Sequence, residues 1–205
     1  MTIERRQVVV IGAGPSGSIA SALLKRRGRD VLVLERQKFP RFSIGESLLV
    51  HCLDFVEEAG MLEAVEAAGF QYKNGAAFAR NGDYADYDFS DRFTPGRPST
   101  FQVQRARFDQ ILADEAEKQG VEIRYEVEIT SVSEPGASGS RTLTARSVNG
   151  GETRTIEAEF VLDASGFGRT LPKLLNLETP SKFPTRQAIF THVADRIPDG
   201  TFDRD

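Results

Sequence analysis

Three glycines at a fixed spacing, Gly12, Gly14 and Gly17, lie near the amino end of the chain. They follow the apolar run Val8–Ile11 and precede a stretch of helical character, and the acid Glu35 comes about 20 residues later. Glycine permits a tight turn at the first position, close approach of a pyrophosphate at the second and close helix–strand packing at the third. Because a helix N-terminus offers free N–H groups to phosphates, this pattern predicts a dinucleotide-binding loop.

Glu35 ends a second apolar run, Val31–Leu34, which has the character of a buried strand. A carboxylate in this place accepts hydrogen bonds from ribose hydroxyls and favours a free 2′-hydroxyl over a 2′-phosphate. The ligand is therefore expected to be FAD or NAD and not NADP. Pro15 and Ser16, which complete the glycine loop, are predicted to contact the same ligand.

A further segment able to approach a ligand follows this second strand. Arg36 comes first, and the run Phe39–Ser47 then reads FPRFSIGES. Gly45 precedes a helix that we expect to begin near Glu46, so the backbone there allows another close approach. The Arg41 guanidinium is suited either to pair with a phosphate or to hold the loop. The candidate ligand-binding residues of this segment are Arg36, Arg41, Gly45, Glu46 and Ser47.

Two later segments complete the candidate site. In Phe101–Asp109 (FQVQRARFD) a helix begins, and the guanidinium of Arg105 is able to fork onto phosphate or carbonyl oxygens. Asp109 is expected to serve its own helix. The second segment, Asp163–Gly166 (DASG), lies at the end of a buried strand, where parallel sheets bind their ligands. Asp163 and Gly166 are therefore candidate contacts as well.

Together these segments resemble the class A flavoprotein monooxygenases, and more narrowly the branch of flavin-dependent halogenases and geranylgeranyl-reductase-like enzymes. The similarity runs from about Val8 to Leu175. It implies that the cofactor is FAD, that the FPR…IGES run lies along the flavin and that Arg105 contacts the cofactor. One departure is Val50, which stands where the family often has a proline.

Lys73 is the candidate catalytic residue. The segment Gly69–Phe78 is similar to a halogenase segment that has a lysine two residues before a GA.F sequence. In halogenases that lysine accepts hypohalous acid or positions it for the substrate, a task for which an ammonium donor is suited. The alternative is a lysine at a strand end with its head in water, and related reductases carry a similar segment.

The elements that must position these residues indicate an α/β fold. Buried strands alternating with helices predict a Rossmann-like parallel FAD-binding sheet with a β-meander, interrupted by part of a mixed-sheet substrate domain. Residues 1–72 and 101–175 are assigned to the FAD-binding domain, and residues 73–100 and 176–205 to the partial substrate domain. Helical structure is expected over 46–68, in two pieces broken at Gly60, and a strand over 188–193.

Composition and charge exclude several classes of protein. A net charge of −4 without a run of lysine or arginine argues against nucleic acid and against anionic membrane surfaces as partners. The single Cys52 excludes an internal disulfide, and neither His51 nor His192 has a carboxylate or cysteine cluster beside it, so no metal site is predicted. Without a signal peptide or a membrane-spanning segment in the sequence, we expect a cytoplasmic protein.

The resemblance implies an enzyme, namely an FAD-dependent halogenase or monooxygenase that uses reduced FAD and dioxygen on a small-molecule substrate. Its electrons would come from NAD(P)H, directly or through a separate flavin reductase. Two alternatives stay open: an FAD-dependent reductase of the geranylgeranyl-reductase type, and a catalytically silent module that binds a nucleotide or a partner. Full-length members carry a later Gly-Asp motif, and nothing after Gly168 matches it. Halogenases also carry a tryptophan-containing motif near the active site, and this chain has no tryptophan. The chain is therefore expected to be the N-terminal portion of such an enzyme.

Overall fold

The computed structural model describes residues 3–194, 196–198 and 200. The strands are β1 (Ile3–Ile11), β2 (Val31–Glu35), β3 (Gln71–Lys73), β4 (Gly75–Arg80), β5 (Asp83–Asp88), β6 (Thr100–Gln102), β7 (Glu122–Tyr125), β8 (Val127–Val132), β9 (Arg141–Ser147) and β10 (Thr153–Asp163). The helices are α1 (Pro15–Arg26), α2 (Cys52–Glu58), α3 (Leu62–Ala67), α4 (Arg105–Lys118) and α5 (Thr170–Leu174), and a single 3-10 turn spans Gly166–Gly168. None of the helices in these ranges is both long and apolar enough to cross a membrane.

A six-stranded sheet with the strand order β7-β2-β1-β10-β9-β8 forms the centre of the fold. The first four strands are parallel, and β9 and β8 add to them in antiparallel fashion. Residues 8–11 and 31–34 are buried along their whole length, as continuous apolar runs in a two-sided sheet must be. The predicted α/β class, with a mainly parallel central sheet and a β-meander, is confirmed.

The two faces of the parallel strands are covered by different layers. Alternate residues such as Val10 and Val33 pack against the helices α1 and α4 on one face. Their neighbours, among them Val9 and Leu32, pack against meander residues such as Leu143 on the other face. The meander therefore folds back over the sheet, and β8 contacts β2 across it. This three-layer arrangement leaves the carboxyl ends of the parallel strands open to ligands.

Strand β10 has two different neighbours along its length. Its first half, 153–158, pairs with β9, whereas its second half pairs with β1 alone. Within the described residues, the outer edge of 159–163 has no strand beside it, and Phe160 there is 61% exposed. The meander and the parallel strands are therefore joined in one sheet, because the continuous strand β10 pairs with β9 on one side and with β1 on the other.

Two predicted elements differ in the structure. The helix expected near Glu46 begins only at Cys52, because Glu46–Leu48 lies beside β6 and exchanges main-chain hydrogen bonds with it. The Glu46 carbonyl accepts from the Val103 N–H at 2.8 Å. The predicted strand over 188–193 is also wrong, since these residues have no regular secondary structure and the described chain places no strand beside them. The helix predicted to begin within Phe101–Asp109 is confirmed, since α4 begins at Arg105.

Outside the central sheet lie two small antiparallel pairs, β3 with β6 and β4 with β5. The β4–β5 hairpin is exposed along almost all of its length. The division into a FAD-binding domain and a partial substrate domain stays a prediction. Its first boundary, between residues 72 and 73, falls inside β3.

A cluster of charges joins the amino ends of the parallel strands. It consists of Glu4 and Arg6 on β1, Glu122 and Arg124 on β7, and Asp30 just before β2. Arg124 Nη2 lies 2.7 Å from the Glu4 carboxylate and 2.6 Å from that of Glu122. The hydrogen bond from Arg124, helped by Arg6, lowers the pKa of Glu4 to about 2 even though burial acts against it. We call this group the amino-end charge cluster.

Candidate functional site

Two of the three motif glycines are required by backbone packing. Gly12 has a φ of +100°, and a Cβ there would lie 2.7 Å from the Ala164 carbonyl oxygen. A Cβ on Gly17 would lie only 1.9 Å from the Gly12 carbonyl oxygen. These contacts draw the start of α1 against both the glycine loop and the end of β10. Gly12 and Gly17 therefore bring the first and last predicted motifs together.

Gly14 is different because it borders open space. Its φ of −64° suits any residue, and a Cβ there would meet only Arg41 Nη2, at 3.4 Å. Pro15 opens α1, and no side chain caps the N–H groups of the first turn. The uncapped N–H groups and the positive end of the helix dipole suit an anion. The open space beside Gly14 is therefore of the kind that a pyrophosphate occupies.

Glu35 fixes the glycine loop from the end of β2. The residue is 6% exposed, and its Oε2 accepts a hydrogen bond from the Ala13 N–H at 2.8 Å. Its Oε1 accepts from the Gln37 N–H, also at 2.8 Å. Each carboxylate oxygen keeps a free lone pair beyond these bonds, so Glu35 is able to brace the loop and to accept from a ribose as well.

Arg41 and Arg105 meet at one buried carboxylate, that of Asp109. Arg105 Nε and Nη2 donate to the two oxygens of Asp109 at 2.7 and 3.0 Å, and its Nη1 donates to the Ile44 carbonyl at 2.6 Å. Arg41 Nη1 lies 3.0 Å from Asp109 Oδ2, and the guanidinium carbon lies 4.8 Å from the centre of the Phe39 ring. Asp109 thus ties the FPR…IGES run to the start of α4 and serves more than its own helix, contrary to the expectation from sequence.

The DASG segment closes the site from the end of β10. Asp163 uses both carboxylate oxygens within the protein, accepting from the Ser165 N–H at 2.9 Å and from the Leu171 N–H at 2.8 Å. It therefore shapes the loop, whereas Gly166, with a φ of +55°, faces the cavity. Ser165 Oγ accepts from the Thr170 N–H at 2.9 Å, which fixes the first turn of α5.

All of these segments line one cavity of about 930 Å³ at the carboxyl ends of the parallel strands. That volume lies near the upper end of the range of about 300–1,000 Å³ found for small-molecule sites. Its walls include predicted residues of the glycine loop, of the end of β2 and of the later motifs: Gly12, Gly14, Pro15, Ser16, Glu35, Arg36, Arg41, Arg105 and Gly166. We call it the cofactor cavity.

Comparison with known proteins identifies the cofactor as FAD. The family described as FAD binding domain matches residues 5–198. The chain belongs to the FAD-binding domain family. FAD, the cofactor expected from the sequence, is thereby confirmed, and so is the resemblance to flavin-dependent halogenases and monooxygenases.

Individual relatives of this FAD-binding domain include halogenases. It is 39% identical to a tryptophan 2-halogenase from Chondromyces crocatus, over 78% of this chain and 30% of the relative. Among solved structures, a flavoprotein/dehydrogenase from Cytophaga hutchinsonii is 48% identical with a TM-score of 0.84, over 88% of this chain and 44% of the other. The flavin-dependent halogenase CmlS is 34% identical with a TM-score of 0.75, over 86% of this chain and 32% of the other. The chain thus spans about a third of the length of the curated relatives.

The residues of the cavity fit FAD. The space beside Gly14, the free N–H groups of α1 and the Arg41 guanidinium provide for a pyrophosphate, and Glu35 provides for a ribose. The contacts that individual residues make to FAD stay a prediction. For Gly17 and Asp163 the structure shows packing and loop-bracing contacts that hold the cavity walls in place.

Lys73 lies outside the set of residues that line the cofactor cavity. Its Nζ donates to Ser47 Oγ at 2.6 Å and sits 5.1 Å above the centre of the Phe89 ring. Ser47 follows Gly45, whose Cβ position would lie 3.1 Å from Arg105 Nη1, and the Glu46 carboxylate accepts from the Gly45 N–H at 3.0 Å. The end of the FPR…IGES run therefore connects the cavity to Lys73. We refer to Lys73, Ser47, Phe89 and the β4–β5 hairpin as the Lys73 surface.

Several residues of the cavity were not predicted from the sequence. Phe42 stacks on Phe190 with 5.7 Å between the ring centres, and both line the cavity. Residues 127–129 of β8 form a further part of its wall. Phe42 lies inside the run expected along the flavin, but nothing in the local sequence pattern marks Phe190 or residues 127–129, because only the folding of the meander and of residues near 190 over the strand ends brings them there.

Proposed function

We propose that the protein is a flavin-dependent halogenase in which this chain provides the FAD-binding domain. The observation that supports it most is the position of Lys73, held by Ser47 at the end of the segment whose other end lines the cofactor cavity. Together with 39% identity to a tryptophan 2-halogenase, this arrangement favours halogenation over the other reactions of flavoproteins. FAD, once reduced, supplies an oxidant for halide by reaction with dioxygen.

In this proposal the groups of the chain have separate tasks. The glycine loop and Arg41 bind the pyrophosphate, Glu35 orients the ribose, and the DASG loop closes the cavity around the cofactor. Lys73 acts as a hydrogen-bond donor to hypohalous acid and holds it for the organic substrate. Ser47 accepts from the Lys73 ammonium and thereby fixes its direction.

The electron source and the location belong to the same proposal. A separate flavin reductase, or NAD(P)H directly, delivers reducing equivalents, and the substrate is a small molecule. We expect the protein to act in the cytoplasm, as the single Cys52 allows.

A second candidate is a flavin-dependent reductase, for which the 48% identity to a flavoprotein/dehydrogenase of known structure is the specific support. Such an enzyme would transfer electrons from reduced FAD to a substrate alkene without dioxygen. Lys73 would then serve only to hold the surface through its contacts with Ser47 and Phe89.

The test begins with an FAD titration of the chain, followed by absorbance and fluorescence, with Gly14→Val as the matched variant. We expect saturable binding in the wild type and its loss in Gly14→Val, because the larger side chain fills the space beside the loop. Turnover is then measured with tryptophan, bromide and an added flavin reductase. Bromide-dependent product that disappears in Lys73→Met supports the halogenase, whereas alkene reduction without oxygen and without a need for Lys73 supports the reductase.

A further inference from the structure

Asp109 is a buried charge whose two ion-pair partners, Arg41 and Arg105, both line the cofactor cavity. It is 0% exposed in the middle of α4, where an unpaired carboxylate would be strongly unfavourable. It is paired with two guanidiniums, those of Arg41 and Arg105, from two different segments of the cavity wall. Arg105 is an i,i+4 partner on the same helix, but Arg41 comes from the FPR…IGES run, so a role confined to α4 does not account for the second ion pair.

The two arginines differ in how many of their guanidinium nitrogens already donate hydrogen bonds to the protein. Arg105 has Nε, Nη2 and Nη1 all directed at protein oxygens, those of Asp109 and of the Ile44 carbonyl. Arg41 uses Nη1 for Asp109, and in the described part of the chain its Nη2 has no hydrogen-bond partner. This free Nη2 is the atom that lies 3.4 Å from the Cβ position of Gly14. Arg41 therefore offers Nη2 to a ligand at the glycine loop, whereas each nitrogen of Arg105 already donates at least one hydrogen bond to a protein oxygen.

We propose that Asp109 is a positioning residue that turns Arg41 toward the glycine loop, where Arg41 binds the pyrophosphate of FAD, while Arg105 fixes the loop at Ile44. The Phe39 ring lies under the Arg41 guanidinium and the Asp109 carboxylate lies beside it, and in this arrangement Nη2 is next to Gly14. The inference depends on the binding of FAD and not on the halogenase reaction.

Charge supports the same assignment. One carboxylate neutralises one of the two guanidiniums, so the trio keeps a single positive charge next to the positive end of α1. A pyrophosphate placed there meets a charge-assisted donor held at a fixed angle, which is stronger than a flexible surface contact. Affinity from such a charge falls as salt is added.

The experiment measures the dissociation constants of FAD and of ADP for the 205-residue chain at low and high salt. The variants are Arg41→Gln and Asp109→Asn, and Asp114→Asn, an exposed aspartate on the same helix, is the matched control. We expect Arg41→Gln to weaken both ligands about 10-fold or more and to flatten the salt dependence. Asp109→Asn should also weaken the binding of FAD and of ADP, and Asp114→Asn should bind both ligands as the wild type does.

Thermal unfolding of each apo variant separates positioning from folding. Arg41→Gln leaves Asp109 bonded to Arg105, so it keeps the inference testable even if Asp109→Asn does not fold. Wild-type affinity and salt dependence in Arg41→Gln would overturn the inference while leaving FAD binding intact. Failure of the wild type itself to bind FAD or ADP would overturn the FAD assignment for this chain and the inference with it.

Discussion

In the cofactor cavity the charged groups are buried and held by several bonds, whereas at the Lys73 surface the side chains of the β4–β5 hairpin are exposed. Glu35 is 6% exposed and Asp109 0%, and each has both carboxylate oxygens bonded. By contrast, Phe78 and Tyr84 of the hairpin are 62% and 66% exposed. An isolated two-stranded hairpin is only marginally stable in water, because it buries little apolar surface.

This difference separates binding from reaction within one chain. The cavity is preorganised, since its walls are the ends of buried strands and helices that the core already holds in place. The Lys73 surface depends on single contacts, such as the hydrogen bond to Ser47, and its aromatic side chains face solvent. We therefore expect cofactor binding to be robust in this chain and the geometry around Lys73 to be adjustable.

The largest effect is expected from Gly17→Ala. Its Cβ would lie 1.9 Å from the Gly12 carbonyl oxygen, so α1 must move away from the loop. We expect the free energy of unfolding to fall by about 3 kcal/mol or more, with loss of FAD binding. Urea unfolding of Gly17→Ala and of Gly14→Ala measures this loss of stability. Equal stability of the two variants would contradict the packing described for Gly17, because the Gly14 Cβ meets no backbone atom.

An effect of intermediate size is expected on the free energy of unfolding at low pH. It depends on the amino-end charge cluster, which lies at the opposite end of the strands from the cavity. The folded pKa of Glu4, about 2, lies below its ordinary value of 4.5. Its contribution to stability is therefore present above about pH 4.5 and is lost as the pH falls toward about 2. We expect Glu4→Gln to cost on the order of 2 kcal/mol at pH 7.

Urea unfolding of the wild type and of Glu4→Gln between pH 7 and pH 2.5 checks this prediction. The difference between the two proteins should shrink with falling pH. A constant difference would mean that Glu4 acts through packing and not through its charge. FAD affinity of the folded protein at pH 7 should be the same in both, because the cluster is remote from the cavity.

The smallest effect is expected at the hairpin. Phe78 touches Tyr87 with 6.2 Å between ring centres but is otherwise in solvent, so Phe78→Ala should change the free energy of unfolding by less than about 0.5 kcal/mol. Phe108, 1% exposed, is the matched control, and Phe108→Ala should cost about 3–5 kcal/mol. Thermal denaturation of both variants compares them. A large loss in Phe78→Ala would show that the hairpin contributes to the core.

The sequence predicted the part of the fold that depends on local pattern. The buried runs of β1 and β2, the glycine loop between β1 and α1, and the start of α4 follow from apolar periodicity and from turn residues. The start of α2 could not be predicted, because the main chain of Glu46–Leu48 pairs with a strand that lies far ahead in the sequence. Distant pairing overrides local helical preference there.

The same limit applies to the candidate site. Residues of the glycine loop and Glu35 were found because their spacing along the chain reflects the ligand they face. The role of Asp109 was missed, since its partner Arg41 comes from a segment more than 60 residues earlier. Whether Lys73 is catalytic is likewise not decided by its spacing, which is shared with reductases.

The outer edge of β10 has a consequence for how the chain behaves in concentrated solution. Residues 159–163 offer main-chain N–H and C=O groups with no strand beside them in the described structure, next to the exposed ring of Phe160. Such an edge is a template onto which another polypeptide can add as an extra strand. Self-association by edge pairing, and not loss of fold, is therefore the first change expected when this chain is stored at high concentration.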